Sequence, residues 1–390
     1  MIILQYSMVG TKNYDYIIIG AGAAGLMLAT AMINDDFFSE KSILILDKDA
    51  KQNNDRTWCF WEKGEGQFDA IVNKKWNHIY FASNQFSQRY NIKPYTYKMV
   101  RGIDFYTSIK HQIENSSNIT FKQTEVKAIE DNGQNVVVST TEGTFLAQQA
   151  FNSIFDYKMV THQNKFPVLQ QHFKGWVVKT KKPIFDVNQA TYMDFSIKQK
   201  GNTRFMYVLP YAVDKALIEY TLFSEDLLAP VEYENAIKDY LTQNLNTTDF
   251  EVEETEMGSI PMTCYDFQEC HSKNVRNIGT AGGWAKPSTG YTFASSARKI
   301  PALVRHIKSG KPLQQLRFKN RFWYYDLLFL DVLHKDNATG YQIFETLFKN
   351  RSPQLIFKFL DEQTNLWEDL QYIWGCPKTP FLKALIKRLF

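Results

Sequence analysis

Three glycines and an aspartate near the start of the chain have the spacing of a diphosphate-binding turn. Gly20, Gly22 and Gly25 form G-x-G-x-x-G within YDYIIIGAGAAG, and Asp47 follows 22 residues after the last of them. Gly20 suits a tight turn, Gly22 leaves the backbone open to a pyrophosphate, and Gly25 lets a helix lie close on a sheet. A helix starting there offers unpaired N–H groups and the positive end of its dipole to the phosphates. Asp47 can accept hydrogen bonds from both ribose hydroxyls. A second glycine cluster comes late: Gly279, Gly282, Gly283 and Gly290 fall within twelve residues of NIGTAGGWAKPSTGYTF. Backbone N–H groups in such a loop can hold the far end of an extended cofactor. The first cluster alone suits FAD and NAD equally. Two separated pieces clasping one dinucleotide favour FAD.

These residues need particular elements to position them. Residues 16–19 read as a short buried strand, a helix follows Gly22, and SILILDKD is a second strand ending at Asp47. The uncharged stretch 16–33 is long enough to suggest a membrane span, but its glycines and its strand–turn–helix pattern identify a nucleotide-binding unit. No other stretch could cross a bilayer. Residues 97–114 read as a helix with its lead-in. ITFKQTEVKAI and NVVVST are strands around a turn at Asp131, Asn132 and Gly133, and FNSIFD (151–156) is a short β segment that could return to the nucleotide domain. From 172 to 223, runs such as GWVVKT, RFMYVLP and ALIEYTLF alternate as strands of a separate antiparallel sheet. A helix is expected over 232–245 and another from near Thr292, and the chain beyond 313 is mostly helical.

Composition narrows the classes further. With 390 residues, 44% of them hydrophobic, the chain can bury the cores of two or three lobes. A formal net charge of +4 from 45 basic and 41 acidic side chains is too balanced to imply nucleic acid. The 29 Phe, 21 Tyr and 8 Trp fit an apolar, unsaturated ligand, and they fit equally the composition of AT-rich genes. Cys59, Cys264, Cys270 and Cys376 have neither C-x-x-C spacing nor a disulfide-framework pattern, so a reducing compartment is expected and no metal site. The histidines lack metal spacing and read as structural. No secretory signal is expected, because the N-terminus lacks a basic region and a small-residue cleavage site.

Several segments, in matching order, resemble the FAD-dependent lycopene cyclases of carotenoid synthesis. They are YDYIIIGAGAAGLMLA, NDRTWCFW (54–61), LQQHFKGW (169–176), ATYMDF (190–195), FMYVLP (205–210), LIEYT (217–221), GSIPMT (258–263) and NIGTAGGWAKPSTGYTF (277–293). Tyr220 departs from the pattern, since the family commonly carries a second acidic residue after the glutamate of LIEYT. The resemblance implies an α/β fold: a Rossmann-type FAD-binding domain like those of flavoprotein monooxygenases and reductases, an interleaved antiparallel-sheet substrate domain, and a helical C-terminal region. The expected divisions are 1–60, 97–160 and 255–312 for FAD, 61–96 and 161–254 for substrate, and 313–390 for the helices.

The implied reaction closes the ends of lycopene, or of a monocyclic carotenoid, to β rings with no net oxidation. It nonetheless needs FAD in the reduced state, supplied by NADPH or NADH. Protonation at C2 makes a cation at C1, the C5=C6 bond attacks it, and C6 loses a proton. Such chemistry needs a carboxylic acid or its equivalent, a dry aromatic pocket and negative charge beside the cation. The resemblance assigns the catalytic role to Glu219, either as acid or as the ionised group that steadies the cation and accepts the C6 proton. A lone Glu in a strand can equally be a solvated edge residue. Arg56 of the D-R-T-W motif could hold the flavin or a carboxylate, or merely pair with Asp55 at the surface. Trp58, Trp284, Tyr291 and Phe293 are candidates to wall the carotenoid pocket, and core packing is their alternative.

A carotenoid must also be taken from a bilayer. In TPFLKALIKRLF, Phe381, Leu382, Leu385, Ile386, Leu389 and Phe390 share one helical face, opposite Lys383 and Lys387 with Arg388 at the margin. A basic amphipathic helix can lie in an anionic interface or dock within its own protein. The expected location is cytoplasmic, peripheral on the inner face of the cell membrane. Two other classes remain: an FAD-dependent oxidoreductase (isoprenoid reductase or aromatic hydroxylase), and a noncatalytic carotenoid-binding protein. Fold alone does not separate them.

Overall fold

The computed structural model describes residues 12–389. The nucleotide-binding half opens with β1 (Lys12–Ile19), α1 (Ala23–Ile33) and β2 (Ile43–Asp47). An excursion follows through β3 (Thr57–Lys63), β4 (Lys74–Trp76), β5 (His78–Ala82), β6 (Ser87–Asn91) and β7 (Tyr95–Arg101). The chain returns by α2 (Gly102–Glu114), β8 (Ile119–Gln123), β9 (Val126–Asp131), β10 (Val136–Thr140) and β11 (Gly143–Asn152). It then builds α3 (Lys158–Thr161), β12 (Val168–Thr180), β13 (Gln189–Asp194), β14 (Arg204–Ala212), β15 (Lys215–Ser224), α4 (Pro230–Gln243) and β16 (Phe250–Thr263). Last come β17 (Val275–Asn277), α5 (Phe293–Lys308), α6 (Arg321–Lys335), α7 (Tyr341–Asn350), α8 (Pro353–Leu360), α9 (Leu366–Trp374) and α10 (Lys378–Leu389).

In the first sheet the order is β8-β2-β1-β11-β10-β9, with β17 beside the end of β11. β8, β2, β1 and β11 run parallel, and both faces of this part are covered, which is why IIIG and ILILD are unbroken apolar runs. Ile18 and Ile45 pack under α1, α2 and α5, whereas Ile17, Ile19, Leu44 and Leu46 meet the Val136–Val138 side of the β9–β10–β11 hairpins. The 16–33 stretch is therefore a strand, a turn and a helix.

The second sheet has the order β16-β12-β15-β14-β13-β5-β6, antiparallel except where β13 meets β5. Its residues alternate with the period of two that a strand imposes. Trp176, Met206, Val208, Ile218 and Tyr220 pack against Tyr233 and Ile237 of α4. Val177, Tyr207, Leu209, Leu217 and Phe223 face the opposite way, toward Leu330, Phe344 and Phe357 of the C-terminal helices. Glu219 lies on this second face. The small sheet β3-β7-β4 links the two halves: Phe60 of β3 belongs to the nucleotide-side core and Trp61 to the other.

Two expected boundaries shift. The division at 254/255 cuts through β16, a single strand of the second sheet, so that unit extends to Thr263. Residues 97–101 belong to β7 of the linking sheet. The FNSIFD segment is strand only through Asn152 and then leaves the sheet, with Ser153 Oγ donating to the carbonyls of Ile19 and Gly20.

Candidate active site

A cavity of about 590 Å³ runs between the two sheets, with Gly20, Gly22 and Asp47 at one end and Glu219 and Glu256 at the other. Its first end follows from the glycine motif. Gly20 has φ +91°, a left-handed conformation that L side chains avoid. A Cβ on Gly25 would lie 2.0 Å from the Gly20 carbonyl oxygen, so the helix approaches its own turn only as glycine. At Gly22 a Cβ would meet nothing within 4 Å; the position opens on the cavity. The first turn of α1 holds no acidic residue, leaving its N-terminus free for an anion. Asp47 is buried at the end of β2 and accepts from the Ala21 and Asp49 N–H groups at 2.6 and 2.8 Å.

The late glycines divide by role. Gly279, φ +58°, lines the cavity, and a Cβ on it would come 2.8 Å from that of Ala24, so the two glycine segments touch. Gly282 and Gly283 do not line it. A Cβ there would run into the Asn277 carbonyl oxygen at 2.3 Å or the Phe267 ring at 2.4 Å, so both serve the turn's packing. Gly290, Tyr291 and Phe293 line the cavity where α5 begins.

Aromatic walls follow from the same elements. Trp58 stacks on Phe293 at 5.0 Å between centroids, and both face the cavity. Tyr291 is hydrogen-bonded through its hydroxyl to those of Tyr207 and Tyr192, each at 3.4 Å. Trp284 is placed elsewhere: it is buried in the nucleotide-side core, edge-on to Phe318, as a packing residue. Arg56 lines the cavity and also pairs with Asp55 at 3.5 Å, largely in solvent.

Glu219 is not an edge residue, because β15 runs between β12 and β14. It faces Gly175 of β12, and Gly175 in turn faces Glu256 of β16. Glu219 accepts a hydrogen bond from Thr221 Oγ1 at 2.6 Å, and Glu256 accepts one from Thr57 Oγ1 at 2.8 Å. Burial, and then the charge of Glu256, push the Glu219 carboxyl well above the usual carboxylate range. Burial also lifts Glu256, to about 7, against the lowering effects of the Thr57 hydroxyl, the Glu219 hydrogen bond and the Arg56 charge. Glu256 was missed in the sequence because nothing local marks it. It lies in EVEETEMG, where a run of acidic residues reads as a solvated strand.

Tyr220, by contrast, points to the α4 side and receives the Arg204 guanidinium at 2.7 Å. The residue after the glutamate therefore faces away from the cavity. Glu62 is tied at 2.8 Å to the buried Lys98, and the Asp55 carboxylate accepts the Tyr106 hydroxyl; neither borders the cavity. His172 sits between the hydroxyls of Ser224 and Tyr233, and burial lowers it to about 4.

A second cavity, about 530 Å³, adjoins the first, sharing Gln171, Tyr207, Thr289 and Tyr291 with it. Its walls are almost wholly apolar, from Phe205 and Phe223 on the sheet to Phe344, Phe348 and Leu385 on the helices. It reaches Ile373 and Trp374 of α9 and Leu382 of α10, which are solvent-exposed. α9 also exposes Leu366, Trp367 and Leu370, a patch absent from the sequence reading although its i, i+1, i+4, i+7, i+8 spacing is helical. The expected apolar face of α10 is split. Phe381 and Leu385 line the cavity, Arg388 is held by Asp331 of α6, and Leu382, Ile386 and Leu389 are exposed. Phe390 lies outside the described residues.

The fold is that of the FAD-dependent flavoproteins. It is shared with a flavoprotein/dehydrogenase from Cytophaga hutchinsonii (TM-score 0.61, 15% identity, 97% of this chain and 100% of that one). It is shared also with a geranylgeranyl bacteriochlorophyll reductase-like protein from Thermoplasma acidophilum (TM-score 0.57, 10% identity, 96% of each chain). Within that class, the model of the lycopene cyclase protein family matches residues 15–386, and the chain belongs to this family. Similar relatives include a lycopene beta-cyclase of Pseudescherichia vulneris, 26% identical over 44% of this chain and 46% of that protein. Another, of Paracoccus sp., is 26% identical over 55% and 58% respectively. The matched segments thus span about half the length of these relatives.

Proposed function

We propose that the protein is a lycopene β-cyclase, converting lycopene through γ-carotene to β-carotene by acid–base chemistry with FAD reduced. The observation that carries this reading is the position of Glu219, a carboxyl raised by burial, in the cavity that begins at the Gly20–Gly22 turn and adjoins an apolar cavity through Tyr207 and Tyr291. The residues fit FAD. Gly22 leaves open space where a pyrophosphate approaches, α1 offers an uncovered N-terminus, and Gly279 meets Ala24 to complete one cradle. Gly20, Gly22 and Asp47 would hold its ADP half, and Gly279 and Arg56 would border the remainder. When bound and reduced, by NADPH or NADH, the flavin supplies negative charge beside a cation.

The protein's own groups supply the rest. The apolar cavity holds the polyene and excludes water, which strengthens every charge interaction at the reacting end. Glu219 delivers a proton to C2 of an end group, and the faces of Tyr207, Tyr291 and Trp58 favour the resulting positive charge. The exposed apolar groups of α9 and α10 rest in the membrane surface, so that the carotenoid passes from lipid into the cavity without crossing water. No helix among the described residues is long and apolar enough to cross a membrane, which fits attachment from one side.

The test is anaerobic incubation of the flavin-loaded protein with lycopene and dithionite. β-Carotene of unchanged mass, with many turnovers per reduced flavin, is the expected product. A mass changed by two hydrogens or by oxygen would move the protein to the oxidoreductases.

A further inference from the structure

The space above Gly175 is shared by two carboxyl groups that arrive from different strands. In a sheet, next-but-one neighbours stand roughly 9–10 Å apart, too far for short side chains to meet. Glu219 of β15 and Glu256 of β16 flank Gly175 of β12 on one face, and their longer side chains reach over Gly175 far enough for each carboxyl to shift the other's proton affinity. A Cβ on Gly175 would lie 3.1 Å from Glu256 Cγ and 2.9 Å from Leu217 Cδ1, so any other residue would crowd the Glu256 side chain. Both line the cavity, as does Gln171 two positions further out on the same face of β12 from Phe173. Gln171 is buried, and its side-chain oxygen has no partner within the protein. A polar ligand atom or a water in the cavity would complete it.

We propose that Glu219 and Glu256 act as one carboxylic acid–carboxylate pair sharing a single proton, Glu219 as the donor and Glu256 as the base. This rests on the cyclase reading. The two roles that Glu219 alone would have to combine are thereby divided. The Glu219 O–H proton is taken by the C1=C2 π pair, forming a C2–H bond and leaving C1 cationic. The C5=C6 π pair closes the C1–C6 bond and moves the charge to C5. The C6–H pair then forms the new C5=C6 bond, and its proton goes to the Glu256 carboxylate. Transfer between the two carboxyls restores Glu219, so no proton, oxidant or reductant is consumed.

The surroundings favour this order. Thr57 donates to Glu256 and Arg56 is the cation near it, which keeps Glu256 the more readily ionised member. The other titratable groups facing the pair are Cys59 of β3, Tyr207 and Tyr211 of β14, and Glu254 of β16. Glu254 is itself paired with Arg101. Burial keeps Cys59, Tyr207 and Tyr211 protonated, and Glu254 does not line the cavity.

The experiment has two arms. Infrared difference spectra of the holoprotein, taken at a pH above the Glu256 transition, should show one protonated carboxyl in the pair, lost in Glu219→Gln and kept in Glu256→Gln. Ring closure in wild type should follow a bell-shaped pH profile, its acid limb reporting protonation of Glu256 and its alkaline limb loss of the Glu219 proton. Glu256→Gln should remove the acid limb and slow closure at least tenfold. Thr57→Val, which keeps both carboxyls, should shift that limb to higher pH. A merely structural Glu256 would leave the limbs in place, and that result overturns the pair, as do two protonated carboxyls or none in the infrared. If wild type makes no cyclic carotenoid, the cyclase reading fails, while the infrared arm still decides whether the proton is shared.

Discussion

Replacing Trp367 and Trp374 together by Ser tests membrane attachment without touching the core. The two indoles are 68% and 70% exposed, and they sit on α9 beside the mouth of the apolar cavity. A Trp side chain carries roughly 200 Å² of surface, so about 140 Å² of each is still to be covered. At about 25 cal/mol per Å², full immersion of the pair is worth roughly 7 kcal/mol. An interfacial helix immerses only part of each ring, and half that figure, about 3.5 kcal/mol, corresponds to a loss of roughly 300-fold in partitioning. Co-sedimentation with anionic vesicles measures it. Because both side chains are already in water, the change should leave the melting temperature nearly unaltered. Raising salt should weaken wild-type binding further by screening the exposed Lys383 and Lys387. Undiminished vesicle binding by the double variant would refute the membrane reading of α9. A large fall in melting temperature would refute its exposure.

Gly22→Val should abolish flavin retention while leaving the fold intact, because the new side chain projects into the open cavity rather than against protein; flavin absorbance of the purified variant at wild-type level would remove the glycine cluster from cofactor binding. Glu256→Gln should stabilise the protein at alkaline pH only. The folded Glu256 carboxyl, at about 7, lies above its unfolded value, so folding holds a proton that unfolding releases, and wild-type stability is lost as pH rises through that interval. The variant should match wild type near pH 4 and exceed it by up to roughly 3 kcal/mol by pH 8, read from denaturant midpoints; a pH-independent difference would contradict a buried, raised carboxyl.

The parts legible in the sequence are those whose chemistry is local. Gly20, Gly22 and Gly25 lie within one turn, and the late loop runs directly into α5, so short-range spacing already carries the nucleotide end. Trp58, Tyr291 and Phe293 reach the cavity because their elements begin or end there. Trp284 was misplaced because Gly279, Thr280, Gly290 and Tyr291 of the same loop line the cavity while its own ring turns into the core beneath α5. Aromatic identity does not distinguish those two sides of a turn. Gly282 and Gly283 carry the same lesson: their spacing suggests backbone exposed to a ligand, yet each is glycine because protein atoms stand against it.

Glu256 illustrates a different limit. Its partner Glu219 is 37 residues earlier, and the two are brought together by pairing each strand with β12, whose Gly175 is the common neighbour. That relation is a property of register. A slip of one residue would turn either glutamate to the opposite face, toward α4 or solvent. The same register sends Tyr220, a departure from the family pattern, to the α4 side and away from the cavity. A second acid placed beside Glu219 in sequence would point away from the cavity, whereas Glu256, two strands away, lines it. Adjacent carboxylates in the chain and adjacent carboxylates in the cavity are therefore different sets. The proton exchange proposed above draws on the second set.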